Sequence, residues 1–263
     1  MFNWHKTYNI NKNILDISHD QIEKIKSHKA YLLRNVNLNK TSDLINFAGK
    51  FGQILKYGKK SYVSFKEVSI ENEMHYDGIS APQQKKIPKY LFFYVEKTNK
   101  INDNKKNKGE FKLLNSLQSI SDIPKKTLKF LKNKRLEFYG CPTFYKPDIK
   151  IEELSFKKKI IDSANGKLNL RTHIISSASS KITIDNRYVE TVEGWKVKIS
   201  SCTGKQTFAL FKLISKNIFN KKNLWKIKFR NKDLLIVDNR YVFHGRNSVS
   251  IPTKRLIHRV QVL

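Results

Sequence analysis

The chain has 263 residues, 52 of them Lys or Arg against 22 Asp or Glu, for a formal net charge of +30, and 39% of its residues are hydrophobic. That length fits one domain, 1–263, and the apolar content suffices for a core, which excludes a largely disordered chain. No apolar run approaches the roughly 20 residues needed to cross a bilayer, and Met1 to Lys6 lacks the apolar core of a signal peptide, so a soluble, intracellular, cytoplasmic protein is expected. Two cysteines, Cys141 and Cys202, are too few for a disulfide scaffold or a four-cysteine zinc site.

Ser18-His19-Asp20-Gln21 opens a polar helix to about His28, and Ala30 to Leu33 reads as a buried strand. Thr41-Ser42-Asp43 caps a second helix whose apolar positions are Leu44, Ile45, Phe47 and Ala48, with Gly49 and Gly52 to stop it. Ile54 to Phe65 is strand-like, and the run Tyr90 to Val95 after Pro88 predicts a central strand. Residues 96–108 turn to Lys, Asn and Asp and predict a solvated surface loop. Ser121-Asp122-Ile123-Pro124 starts a third helix to about Lys132, with Pro124 in its first turn. Strand signals follow at Leu136 to Tyr139, Leu168 to Ile175, Ile182 to Ile184 and Trp195 to Ile199, then a fourth helix at Gln206 to Ile218. Strands close the chain at Leu234 to Val237, Tyr241 to Phe243 and Leu256 to Leu263. Many short strands with a few helices predict a β-rich α+β domain with a closed or sandwiched sheet.

A charge of +30 ordinarily points to nucleic acid. Here the excess is lysine, 43 Lys against 9 Arg, alongside 24 Asn, the composition an AT-biased coding sequence produces. The lysines are scattered and accompany no recognition motif, so the basic surface reads as solvation. Arginine is more informative, because a planar two-pronged donor is hard to replace by lysine. Five of the nine arginines lie between Arg230 and Arg259.

Two constellations carry chemistry. In Met74-His75-Tyr76-Asp77-Gly78 an extended backbone turns His75 and Asp77 to one face and Tyr76 to the other. That pair can hold one metal, although His-x-Asp arises easily by chance. The second is Val237-Asp238-Asn239-Arg240-Tyr241-Val242-Phe243-His244-Gly245-Arg246, followed by Arg255 to Arg259. His244 ends an apolar stretch, with Gly245 admitting a close approach. Two histidines and one carboxylate on one face of an iron match the site of non-haem Fe(II) oxygenases. Eleven residues on, Arg255 offers a guanidinium fork for a carboxylate, and Arg259 follows on the same strand face.

These residues resemble the taurine dioxygenase-like (TauD/TfdA) branch of the Fe(II)/2-oxoglutarate-dependent oxygenases, which shows His-x-Asp, a long insert, an Asp-Asn-Arg-x-x-x-His-Gly-Arg block and a C-terminal arginine pair. Asp238 to Arg246 fits that block at every defined position, and the likeness extends more loosely from about Ala30 to Leu263. The resemblance implies a distorted double-stranded β-helix (jelly roll) with flanking helices, with Fe(II) on His75, Asp77 and His244. It also implies 2-oxoglutarate and O2 as co-substrates, the C5 carboxylate held by Arg255, and Arg259 beside co-substrate or substrate. Within the family, His75 to Gly78 and the Pro-x-Tyr-Leu-Phe-Phe stretch look most like enzymes of isocyanide (isonitrile) biosynthesis. One departure stands out: where the family has Gly-Gly-x-Thr, with a threonine hydroxyl on 2-oxoglutarate, this chain has Lys108-Gly109-Glu110-Phe111, leaving Thr98 or Ser116 as substitutes.

The implied reaction yields succinate and CO2, and retention of Asp77 favours hydroxylation or desaturation over halogenation. The expected substrate is a small, amino-acid-derived, carboxylate-bearing metabolite; no membrane or nucleic acid is expected as partner, and a homo-oligomer is compatible. Arg246 suits a substrate carboxylate or a buttress for Asp238. Arg171 and His173 share a strand face and suit either substrate contact or, more simply, surface pairing. Tyr62, Tyr76 and Phe243 read as wall or core aromatics, and His258 should face away from the site. The competing readings are a basic nucleic-acid-associated protein, whose affinity would fall steeply with salt, and an inactive member of the same fold.

Overall fold

A computed structural model describes residues 4–56, 59–66, 72–77, 87–98, 110–139, 155–164, 167–171, 183–190, 196–247 and 255–263. In chain order these form β1 (His5–Asn9), a 3-10 turn (Ile14–Asp16), α1 (His19–Lys26), β2 (Ala30–Arg34), α2 (Thr41–Gly49), β3 (Val63–Lys66), β4 (Asn72–His75), β5 (Tyr90–Lys97) and β6 (Phe111–Asn115). Next come α3 (Ser116–Ile120), α4 (Lys125–Lys132), β7 (Arg135–Tyr139), β8 (Ser155–Lys159), β9 (Ile161–Ala164), β10 (Lys167–Leu170), β11 (Thr183–Ile184), β12 (Val189–Glu190) and β13 (Lys196–Ile199). The chain ends with α5 (Gly204–Ile218), β14 (Leu224–Ile227), β15 (Leu234–Asp238), β16 (Val242–Arg246) and β17 (Leu256–Val262).

Strand periodicity explains the layering. In β5 the side chains of Leu91, Phe93 and Val95 enter one core cluster, while Tyr90, Phe92 and Tyr94 enter another. The same alternation holds in β2 and β15, so the six-stranded sheet β1-β2-β15-β5-β17-β3 is buried on both faces. The central strands β2, β15 and β5 therefore read as continuous apolar runs. Ile22 and Ile25 of α1 and Leu44, Phe47 and Ala48 of α2 cover one face. The other face meets Phe111, Leu113, Ile227 and Val242 of the four-stranded sheet β14-β6-β16-β4. Behind that second sheet, Met74, Tyr76, Leu114 and Phe243 join a third cluster with Phe211 and Ile214 of α5 and with Leu136, Phe138 and Val197 of the five-stranded sheet β11-β12-β13-β7-β8.

The helix ends follow from local chemistry. Ser18 and Gln21 exchange side-chain and backbone bonds in a capping box, as do Thr203 and Gln206. α2 starts differently from the sequence expectation: Lys40 is its N-cap residue, and Asp43, instead of acting as a cap, accepts from the amides of Asn39 and Lys40 at 2.9 and 3.1 Å. Pro124 stands at the N-cap of α4, one position before its first turn. A Cβ at Gly204 would lie 2.1 Å from the Asp185 carbonyl, so the start of α5 can approach β11 and β12 only as glycine. Of the loop expected at 96–108, Glu96 and Lys97 belong to β5; residues 99–109 lie outside those described. No helix among the described residues is long and apolar enough to cross a membrane.

Candidate metal centre

Alternation in β4 divides one tetrapeptide between two environments. Met74 and Tyr76 enter the core cluster behind the four-stranded sheet, and His75 and Asp77 turn to the space between the two large sheets. β16 does the same, with Phe243 packed behind and Val242 and His244 in front. The two strands are antiparallel neighbours with His244 opposite His75, and their imidazole centroids are 4.5 Å apart. The pairing slips between His244 and Arg246, an irregularity within β4 just before His75.

His75, Asp77 and His244 each present one donor atom, all within 4.8 Å of one another. His75 Nε2 is 3.8 Å from Asp77 Oδ1, and His244 Nε2 is 3.6 Å from the same oxygen. These separations are too long for hydrogen bonds. They are short enough that small side-chain shifts would bring all three donors onto one shared cation at roughly 2.1 Å. His244 is 2% exposed, and its Nδ1 makes no hydrogen bond to the described residues. Burial pushes its pKa down to about 3, helped by His75 and Arg259 and opposed by Asp77, so the ring is a neutral imidazole with a lone pair to give. A buried imidazole with neither nitrogen hydrogen-bonded at short range fits a divalent cation.

Asp77 stays ionised in the same place. Burial tends to raise its pKa, but the Arg259 guanidinium beside it, with the hydrogen bond from Gln261, outweighs burial and holds it below the usual carboxylate range. Arg259 Nη1 lies 2.8 and 3.0 Å from its two oxygens, and Gln261 Nε2 donates to Oδ2. Ile257, Arg259 and Gln261 share the inward face of β17, and Arg255 immediately precedes the strand. His258 points the other way, between Ser64 Oγ at 2.9 Å and Glu96, as alternation predicts.

The Asp-Asn-Arg block builds the frame. Fully buried Asn239 accepts from the Asp77 amide at 2.9 Å and donates to the carbonyls of Asp77 and Pro88 at 3.1 and 2.8 Å. Arg240 grips Asp238 through Nε and Nη2 at 2.9 and 2.8 Å, so Arg240 is the bidentate partner of Asp238. Arg246, expected at a substrate carboxylate or on Asp238, ends β16 half-buried, opposite Phe111.

Arg255 is buried, with Cζ 5.3 Å from the Phe229 ring. Phe229 packs on Phe111 at 5.1 Å, and Phe111 lies parallel to His244 at 6.0 Å and 15°. The phenyl ring thus forms a wall of the centre at the position where the family's threonine was missing. Ser116 Oγ already donates to the Tyr241 carbonyl at 2.8 Å, and Thr98 stands at the end of β5 with its amide on Asn231. Arg171 corrects an expectation: it is 8% exposed and buried against Tyr76, where surface pairing was the simpler reading. His173, Gly78 and Cys141 lie outside the described residues. Reasoning from sequence missed Gln261, which two-residue alternation from Arg259 would have found, and the separate task of Asn239 inside its block.

The sequence matches a family model, Taurine catabolism dioxygenase TauD, TfdA family, over residues 5–261. No curated protein matches it. Among solved structures, PvcB of Pseudomonas aeruginosa is similar with a TM-score of 0.72 at 13% identity, over 98% of this chain and 86% of that one. That protein is described as an Fe, alpha-ketoglutarate dependent oxygenase from an isonitrile synthetic pathway. A taurine dioxygenase from Burkholderia xenovorans gives 0.67 at 12% identity, over 94% of this chain and 81% of that one. At such identities the structures speak for a shared fold. With the match over nearly its full length and a His-Asp-His centre between the sheets, the chain belongs to the TauD/TfdA dioxygenase family.

Proposed function

We propose that the protein, a single domain over 1–263 with a distorted jelly-roll core, is an Fe(II)/2-oxoglutarate-dependent oxygenase. Its substrate is a small, carboxylate-bearing, amino-acid-derived metabolite. The convergence of His75, Asp77 and His244 carries this reading. Bound Fe(II) and 2-oxoglutarate supply the oxidising chemistry, in which O2 is consumed, 2-oxoglutarate leaves as succinate and CO2, and the substrate is oxidised. The chain's own residues hold and exclude. The imidazoles of His75 and His244 and the Asp77 carboxylate would hold the iron as a two-histidine, one-carboxylate ligand set. Arg259 and Gln261 fix the Asp77 carboxylate, so the ligand is oriented before metal arrives. Arg255, a buried guanidinium fork immediately before β17, takes the C5 carboxylate of 2-oxoglutarate, with Arg259 beside co-substrate and substrate. Phe93 and Phe111, packed on His244, keep water from that side. With a carboxylate ligand present, the reaction is hydroxylation or desaturation. The likeness to an oxygenase of an isonitrile pathway favours isocyano or amino acids as the substrate class.

The test is succinate release by purified protein given Fe(II), ascorbate and 2-oxoglutarate with a panel of amino acids, isocyano acids and aminosulfonates. The reading predicts release stimulated by one of these classes and lost in His75→Ala. Release no greater than in a metal-free blank across the panel would overturn it.

A further inference from the structure

The back of the His75 to Asp77 segment carries an arginine that the ligand set does not use. Tyr76, between the two candidate ligands, is 2% exposed, and Arg171 sits over its ring with Cζ 3.4 Å from the centroid. Nη1 of the same guanidinium donates to the carbonyls of Asn239 and Arg240, each at 3.0 Å. Asn169 donates to the Arg240 carbonyl as well, at 2.9 Å. One planar group therefore touches both chain segments that carry metal donors: the tripeptide holding His75 and Asp77, and the turn from which β16 runs to His244. Lysine has no flat face to stack on the ring while its nitrogen meets the two carbonyls. In a chain with 43 Lys and 9 Arg, the choice of arginine here is informative. Keeping such a charge under cover costs free energy unless polar partners surround it, so its retention calls for a role.

The geometry points to Arg171 as a positioning residue for the metal centre, which sets the spacing of His75 and Asp77 against His244 from behind. It rests on the reading of those three residues as metal ligands. Arg171 neither touches the metal nor meets the substrate; it acts through Tyr76 and the Asn239–Arg240 carbonyls. Outer partners of metal ligands typically change affinity 10- to 100-fold when removed.

The experiment is an anaerobic Co(II) titration of the metal-free protein, followed by visible ligand-field absorption, with circular dichroism and Tm recorded for every variant. Wild type and His75→Ala set the scale. Arg171→Gln and Tyr76→Leu are expected to weaken Co(II) roughly 10- to 100-fold and to alter the band shape, while Tyr76→Phe, which keeps the ring, stays within about twofold of wild type. Arg171→Lys falls between, and the double variant R171Q/Y76L is little worse than either single change, because the two residues act as one unit. If Arg171→Gln does not fold, Arg171→Lys and Tyr76→Leu decide by the same criterion. Folded variants with a lower Tm but wild-type affinity and spectrum would make Arg171 a plain structural brace and overturn the proposal. Failure of the wild type to bind Co(II) through His75 is a different result: it overturns the metal reading, and this proposal with it.

Discussion

Asn239→Ala is the most informative single change to the frame. The side chain of Asn239 makes three hydrogen bonds inside the protein, one to the Asp77 amide and two to the carbonyls of Asp77 and Pro88. Alanine leaves three buried backbone groups without these partners, at roughly 1 to 2 kcal/mol each, so a loss of about 4 kcal/mol is expected. For a chain of this size that lowers Tm by roughly 8–16 °C. The damage is local to the centre, because Asp77 and Pro88 flank residues 78–87 and Asp77 is a candidate ligand. Asn239→Asp sharpens the test. It keeps an acceptor for the Asp77 amide but turns a carboxylate oxygen toward two carbonyls, so it should be at least as harmful as alanine. Thermal unfolding of the metal-free protein, with Co(II) titration alongside, measures both effects. A Tm within about 3 °C of wild type for Asn239→Ala, equivalent to roughly 1 kcal/mol, would refute the argument that this side chain joins the two ligand segments.

Stability of the metal-free protein should fall with pH below 6.5. The folded His244 ring, with its pKa pushed down to about 3, refuses the proton that the unfolded chain accepts at about 6.5. The loss runs from pH 6.5 toward 3 at up to about 1.4 kcal/mol per unit. His5, lowered by burial and secondarily by His28, adds the same sign, and Asp77 adds to it only below the ordinary carboxylate range. His244→Gln should flatten the plot of Tm against pH between 6.5 and 4.5, and an unchanged slope would contradict this origin. Phe111→Thr should cost about 3 kcal/mol from lost packing on Phe93, Phe229 and His244 yet lower the KM for 2-oxoglutarate; unchanged KM would show that a hydroxyl at this position has no part in co-substrate binding. Asp77→Asn removes the charge that Arg259 faces and should destabilise the metal-free protein by about 3 kcal/mol, as broken buried pairs do, while abolishing tight Co(II) binding; titration and unfolding on one sample check both.

Much of the centre was legible because its residues obey a two-residue period. His75 and Asp77 share a face while Tyr76 leaves it, and the same rule placed His258 away from Arg255 and Arg259. The central strand at Tyr90 to Val95 was equally plain, since a sheet buried on both faces needs an unbroken apolar run. What escaped the sequence depended on distant partners. β1, β6 and β14 carry Lys or Asn among their apolar residues, so their pairing with β2, β16 and β6 had no local signal. Arg171 looked like a surface charge because the ring and carbonyls that cover it lie far away in the chain. Thr41-Ser42-Asp43 has the residue types of a cap, whereas Lys40 holds that position and Asp43 accepts from the Asn39 and Lys40 amides from within the helix.

The central claim, that His75, Asp77 and His244 hold iron beside an Arg255-bound 2-oxoglutarate, is tested most directly without oxygen and without substrate. Fe(II) and then 2-oxoglutarate are added to the purified protein, and the weak visible charge-transfer band of the chelate is recorded for wild type, His75→Ala and Arg255→Ala. The account predicts a band in the wild type that disappears in His75→Ala and needs much more 2-oxoglutarate to develop in Arg255→Ala. No band at saturating 2-oxoglutarate, or a band indifferent to His75, would contradict it.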